Sequence, residues 1–131
     1  MHLICGFLGV GKTTALRALA ARRPSGERWA ILVNEVGMID VDGAVLEASR
    51  ASVGVRVATL PGGCICCTSQ GPFREAVADA LRAAQPHRLF VEPTGLAAPG
   101  PLLAALAEPP LADAVSAVSY THLTLPTICS V

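Results

Sequence analysis

The sequence predicts an α/β fold: a mostly parallel sheet with helices on both faces. Three observations carry that expectation. Short apolar runs recur at residues 3–5, 29–33, 88–91 and 114–118, and runs of that length suit buried strands better than helices. Segments with helical spacing stand between them, and strands alternating with helices imply crossover connections and a parallel sheet covered on both sides. A glycine-rich stretch, residues 6–11, joins the first run directly to the first helical segment.

Taken in order, residues 3–5 form a clipped first strand and 6–11 a loop. Residues 13–23 form a helix with Leu16 and Leu19 one turn apart and arginines toward its end, stopped by Pro24 and Gly26. A second strand covers 29–33, and the polar, glycine-containing stretch 34–43 is a loop. Residues 53–60 alternate loosely as a strand that ends in the turn Pro61-Gly62-Gly63. A helix over 73–84 places Phe73, Val77 and Leu81 on one face, and a strong strand over 88–91 is closed by Glu92-Pro93. A further helix at 102–106 precedes the break Glu108-Pro109-Pro110, and 114–118 reads as one more strand. The chain has no internal repeat.

At 131 residues the default is one domain with one core. Ten lysines and arginines balance ten aspartates and glutamates, so no electrostatic argument favours a nucleic-acid or phospholipid surface as main partner. The hydrophobic share of 52% argues against disorder, although much of it is alanine. No run approaches the roughly 18 apolar residues of a membrane span, and Met1-His2-Leu3-Ile4-Cys5 runs into the glycine loop without room for a signal peptide. Of five cysteines, Cys64, Cys66 and Cys67 crowd together, a pattern of reduced thiols rather than a disulfide framework. A cytoplasmic location is expected.

Gly6-Phe7-Leu8-Gly9-Val10-Gly11-Lys12-Thr13 fits the Walker A pattern G-x-x-x-x-G-K-[ST] without departure, between a strand and a helix. Successive N–H groups of such a loop form a nest for phosphate oxygens, and the helix N-terminus adds positive potential. Gly6, Gly9, Val10, Gly11, Lys12, Thr13 and Thr14 are therefore the nucleotide-binding candidates, with Lys12 reaching the β- and γ-phosphates and the Thr13 hydroxyl on magnesium. The bland alternative is a glycine-rich turn with a surface lysine. Nothing in the motif selects guanine over adenine.

The second motif is Gly62-Gly63-Cys64-Ile65-Cys66-Cys67-Thr68. Thiolates this close repel unless a cation or a disulfide relieves them, and sulfur ligands suit zinc or copper(I). Three ligands with an open position fit transient metal handling better than a closed structural site. Inert buried cysteines and a redox pair are the alternatives. Cys5 and Cys129 are isolated and read as non-functional. His2, His87 and His122 lack motif spacing to the thiols and read as satisfied or exposed histidines.

Glu92 stands where an apolar strand ends, and in parallel α/β sheets ligands sit at carboxyl strand ends. It is placed to hold a magnesium-bound water or to position the attacking water, with a surface or capping acid as the alternative. Gly95 can offer its N–H to a γ-phosphate. Asn34, Glu35, Asp40 and Asp42 make the polar loop after the second strand a switch candidate, or equally a solvated connection.

GFLGVGKTT at 6–14, VNEVGMIDVDG at 33–43, GGCICC at 62–67 and EPTGLAAP at 92–99 together resemble the CobW-like branch of the SIMIBI-class P-loop GTPases, over residues 3–118. The resemblance implies a P-loop α/β domain followed by a smaller C-terminal domain, GTP and magnesium binding, and slow GTP hydrolysis. It also implies zinc, or a related metal such as cobalt, held by Cys64, Cys66 and Cys67 for delivery to a client metalloprotein or cofactor-synthesis enzyme. A homodimer is a further expectation; nucleic acid and membrane are not expected partners. On this reading Lys12, Glu92 and Glu35 are catalytic, and Thr13, Glu92 and Asp42 serve magnesium. Glu92 and Gly95 belong to the second switch, with glutamate in place of the usual aspartate.

Three departures qualify the match. The family loop reads close to NEFGExGIDG, and Met38 stands where a second acid is usual. The first strand is short. After residue 118 the family continues toward a guanine-reading segment, whereas this chain reads Ser119-Tyr120-Thr121-His122-Leu123-Thr124-Leu125-Pro126-Thr127-Ile128-Cys129-Ser130-Val131 and loses its alanine bias. The expected organisation is an incomplete GTP-binding domain over 1–118 and a foreign tail over 119–131. The competing functions are a P-loop enzyme or kinase with structural cysteines, a zinc or redox module with a vestigial P-loop, and a non-functional truncated product.

Overall fold

The computed structural model describes residues 1–6, 9–33, 54–59, 70–93, 99–116 and 119–123. Five strands, β1 (His2–Gly6), β2 (Trp29–Val33), β3 (Val55–Thr59), β4 (Arg88–Glu92) and β5 (Ser119–Leu123), form one sheet in the order β3-β2-β4-β1-β5. Every pairing is parallel, as the alternation of strands and helices required. The helices among the described residues are α1 (Lys12–Ala21), α2 (Gln70–Ala84), α3 (Pro99–Leu106) and the single turn α4 (Leu111–Ala114).

Strand residues alternate between two cores, because successive side chains point to opposite faces. Leu3, Cys5, Ala30, Leu32, Leu89 and Val91 join Phe73, Val77 and Ala80 of α2, Leu102, Ala105 and Leu106 of α3, and Leu111 of α4. Ile4, Trp29, Ile31, Val33, Val55 and Phe90 meet Leu16 of α1 on the other face. Helices thus cover both faces, and the central strands are apolar on both sides for that reason. Each such buried aliphatic or aromatic side chain contributes about 1.5–3 kcal/mol relative to exposure.

Two expectations shift. Leu19 does not join Leu16 in the core; it is 41% exposed, and Ala20, four residues on from Leu16, packs against the core instead. The fifth strand, expected over 114–118, does not include residues 114–116; residues 117 and 118 lie outside the described residues. Leu111 is buried and anchors a helical turn through Ala114, Val115 is the first extended residue, and the strand falls at Ser119–Leu123, paired along its length with β1. An edge strand need not be a continuous apolar run, so alanine and valine content misplaced it.

At the amino ends of the strands the Glu27 carboxylate accepts from Arg88 Nε at 2.8 Å and Trp29 Nε1 at 2.6 Å. The Arg88 bond, with the Trp29 bond second, holds this carboxyl below the ordinary carboxylate range. His2 stacks on Phe90, and His87 Nδ1 accepts from the Arg28 N–H, so both histidines are satisfied within the fold.

Gly54 enters β3 at φ +119, with its carbonyl accepting from Trp29 N–H at 2.7 Å. A Cβ there would stand 3.1 Å from the Glu27 carbonyl and 3.2 Å from the Arg23 guanidinium. Gly54→Ala therefore combines a disfavoured backbone region with crowding against backbone. The expected loss is about 2 kcal/mol, read from urea unfolding.

Candidate functional site

The sheet topology makes a crevice at one place. β1 sends its connection past β4 to β2, whereas β4 sends its connection past β1 to β5. Ligands of open α/β sheets bind at the carboxyl ends of strands where connections leave in opposite directions. The glycine loop follows β1 and Glu92 ends β4, so both meet in that crevice.

Gly11 is the N-cap of α1 with φ +96 and ψ 21, a left-handed conformation in which a Cβ would be strained. A Cβ there would meet no other atom, so backbone conformation rather than crowding selects glycine. Among the described residues no side chain caps the helix, and its first-turn N–H groups have no intrahelical acceptors. Lys12 opens α1 yet is only 6% exposed, and its Nζ donates to the Gly6 carbonyl at 2.8 Å. The ammonium is folded back across the loop, not extended into solvent. Sequence reasoning named both residues but missed this bond; its signal is the spacing between the first glycine of the motif and the lysine.

Thr13 Oγ1 lies 3.3 Å from Glu92 Oε1 and 3.4 Å from Oε2, joining α1 to the end of β4 across 79 positions of sequence. Burial pushes the Glu92 carboxyl up from its ordinary value; the Lys12 charge and the Thr13 hydroxyl oppose that shift without cancelling it. Cys5, just before the loop, is buried, and burial pushes its thiol up, which fits an inert cysteine.

Gly6, Gly9, Val10, Gly11, Lys12, Thr13, Thr14 and Glu92 all lie within the described residues around this crevice. Glu35, Asp42 and Gly95, with Asn34 and Asp40, lie outside them, as do Cys64, Cys66 and Cys67. Among the described residues no three His, Cys, Asp or Glu side chains gather as a metal site. The donor set nevertheless fits two groups. An uncapped helix N-terminus beside a buried lysine suits a phosphate. A threonine hydroxyl beside a carboxylate offers the hard oxygens that magnesium prefers.

Comparison with protein families matches residues 1–123 to the nucleotide-binding domain of the family described as CobW/HypB/UreG. The chain belongs to this family. Among curated CobW/HypB/UreG-like relatives, it is similar to the zinc chaperone YeiR of Escherichia coli (strain K12), 44% identical over 108 residues, covering 82% of this chain and 32% of that protein. The zinc chaperone CobW of a Sinorhizobium species is 38% identical over 117 residues, covering 87% of this chain and 33% of the relative. The zinc-regulated GTPase metalloprotein activator 1 of Schizosaccharomyces pombe is 36% identical over 110 residues, 76% of this chain and 25% of its own. The chain spans about a third or less of the length of these relatives. No solved structure matches it. Among the described residues, no helix is long and apolar enough to cross a membrane.

Proposed function

We propose that this domain binds GTP with magnesium and hydrolyses it slowly, and that the nucleotide state governs how Cys64, Cys66 and Cys67 hold zinc, or cobalt, for delivery to a client protein or cofactor-synthesis enzyme. The contact of Thr13 with Glu92 at the crevice between β1 and β4 carries the reading, and similarity to relatives named as zinc chaperones supports its metal half.

Lys12 and the first-turn N–H groups of α1 hold and orient the phosphates, with charge placed where the leaving oxygens gain it. Bound magnesium would be held through Thr13 and Glu92, with Asp42 a further candidate, and would supply charge neutralisation across the phosphates. Glu92, and Glu35 if the loop after β2 brings it near, orient the attacking water. Gly95 reports the γ-phosphate through its N–H. The expected setting is the cytoplasm.

The strand ends give this coupling a physical basis. Thr59, Val33 and Glu92 occupy one row across β3, β2 and β4, so Thr59 stands roughly 10 Å from Glu92 at ordinary strand spacing. Cys64 follows Thr59 by five positions in the chain. The chain that carries the thiols therefore leaves the sheet at the row that holds the carboxylate.

The test is a zinc titration of the full-length protein against a chromophoric chelator, with magnesium and a non-hydrolysable GTP analogue or magnesium and GDP. The expected result is an affinity differing about 5-fold or more between the two states, with binding lost in the Cys64→Ala, Cys66→Ala double variant. Equal affinity in both states would exclude nucleotide-governed metal handling.

A further inference from the structure

The thiol segment and the segment after Glu92 lead into neighbouring helices. Cys67 precedes Gln70, the first residue of α2, by three positions, and Gly95 precedes Pro99, the first residue of α3, by four. Both helices follow strands of a parallel sheet and lie on its same face, so both start at the edge that carries the nucleotide site. Phe73 and Val77 of α2 share a core with Leu102, Ala105 and Leu106 of α3. Polar contacts reinforce that packing. Arg74 donates to the Glu108 carboxylate and, at 2.5 Å, to the Pro109 carbonyl, just beyond the end of α3. Gln70 Nε2 reaches the Pro101 carbonyl at 3.5 Å, in the first turn of α3.

Resting on the GTP- and zinc-dependent reading above, we infer that the α2–α3 pair is the element through which nucleotide state reaches the thiols, with Arg74 as the positioning residue that makes the two helices move as one. Arg74 is not among the residues assigned above to nucleotide, magnesium or zinc. Its two acceptors lie on the segment after α3, so a displacement of α3 is passed to α2, whose first residue stands three positions after Cys67. Packed apolar faces alone can slide; a guanidinium held by a carboxylate and a carbonyl resists sliding because both bonds have fixed directions. Among the described residues the other ion pair on α2, Arg82 with Asp79, joins two residues of the same helix and so does not tie α2 to a neighbour.

The test uses the full-length protein and the zinc titration above, on wild type, Arg74→Ala, Glu108→Ala, the double variant and Arg82→Ala. Arg74→Ala is expected to bring the ratio of zinc affinities in the GTP-analogue and GDP states about 3-fold or more closer to unity. Zinc affinity with GDP, GTP-analogue affinity and the thermal midpoint should stay close to wild type. Arg82→Ala should leave the ratio unchanged, and Glu108→Ala should have little further effect once Arg74 is gone. An Arg74→Ala protein that keeps the wild-type ratio overturns the inference while leaving the proposed function intact. An equal fall in Arg82→Ala also overturns it, since any weakening of α2 would then suffice. A wild-type ratio of one overturns both. Hydrogen exchange gives a readout that does not require zinc: protection of the first turn of α2 should differ between the nucleotide states in wild type and not in Arg74→Ala.

Discussion

Lys12→Ala is expected to weaken binding of magnesium with a non-hydrolysable GTP analogue by about 10²–10³-fold, measured by calorimetric titration. The ammonium is almost fully buried and already directed onto the loop by the Gly6 carbonyl, so its freedom has been given up before any phosphate arrives. Truncating one partner of a buried, hydrogen-bonded charge pair costs about 2–5 kcal/mol, which spans that range of affinity. The fold should tolerate the change better than the site does. Alanine is a good helix former at the start of α1, and the loss of one hydrogen bond to a carbonyl costs about 1 kcal/mol. An affinity within threefold of wild type would mean that the loop does not serve a phosphate.

Glu92→Gln is expected to act in opposite directions on stability and on chemistry. The folded-state value of this carboxyl is raised, so between the ordinary carboxylate value and the raised one the folded chain holds more protons than the unfolded chain. Stability therefore falls as pH rises through that window. Above it, the ionised and desolvated carboxylate is a net cost to the ligand-free fold. Glutamine keeps the shape and removes the charge, so the ligand-free variant should melt higher at neutral pH, by up to about 4 °C. GTP hydrolysis should fall on the order of 10²-fold or more, as when one preorganised group facing developing charge is lost. The gain in midpoint should vanish at a pH below the window, where the wild-type carboxyl is already neutral. A variant that melts lower than wild type at neutral pH without ligand would show that the Thr13 and Lys12 interactions outweigh burial. In wild type, magnesium-dependent binding should fade with falling pH earlier than an ordinary carboxylate would allow.

The parts legible in the sequence are those whose cause is local. A glycine loop ending in Lys12-Thr13 and an apolar run ending in Glu92 are contiguous patterns, and the three residues stand at the helix start and strand end where those patterns placed them. Phe73 and Val77 were legible from helical spacing. The strand order was not, because β1 pairs with β4 and β5 through contacts far apart in the chain. Leu19 misled because a residue three positions on lies off the centre of the buried stripe, and the smaller Ala20 sits closer to it. The last strand misled because apolar content marks a central strand better than an edge. Arg74 carried no signal at all: its partner lies 34 positions away, across two helices.

The place of β1 in the sheet has a consequence for how the protein is made. β1 is synthesised before both of its sheet neighbours, β4 and β5, the latter ending at Leu123. Until those distant segments are synthesised, the apolar run Leu3-Ile4-Cys5 has no sheet to enter, and the cost of closing such long loops makes its docking a late event. During that interval Cys64, Cys66 and Cys67 are already on the nascent chain, ahead of the finished nucleotide crevice. A chaperone or a reducing environment at that stage would protect the same thiols to which the proposed function assigns the metal.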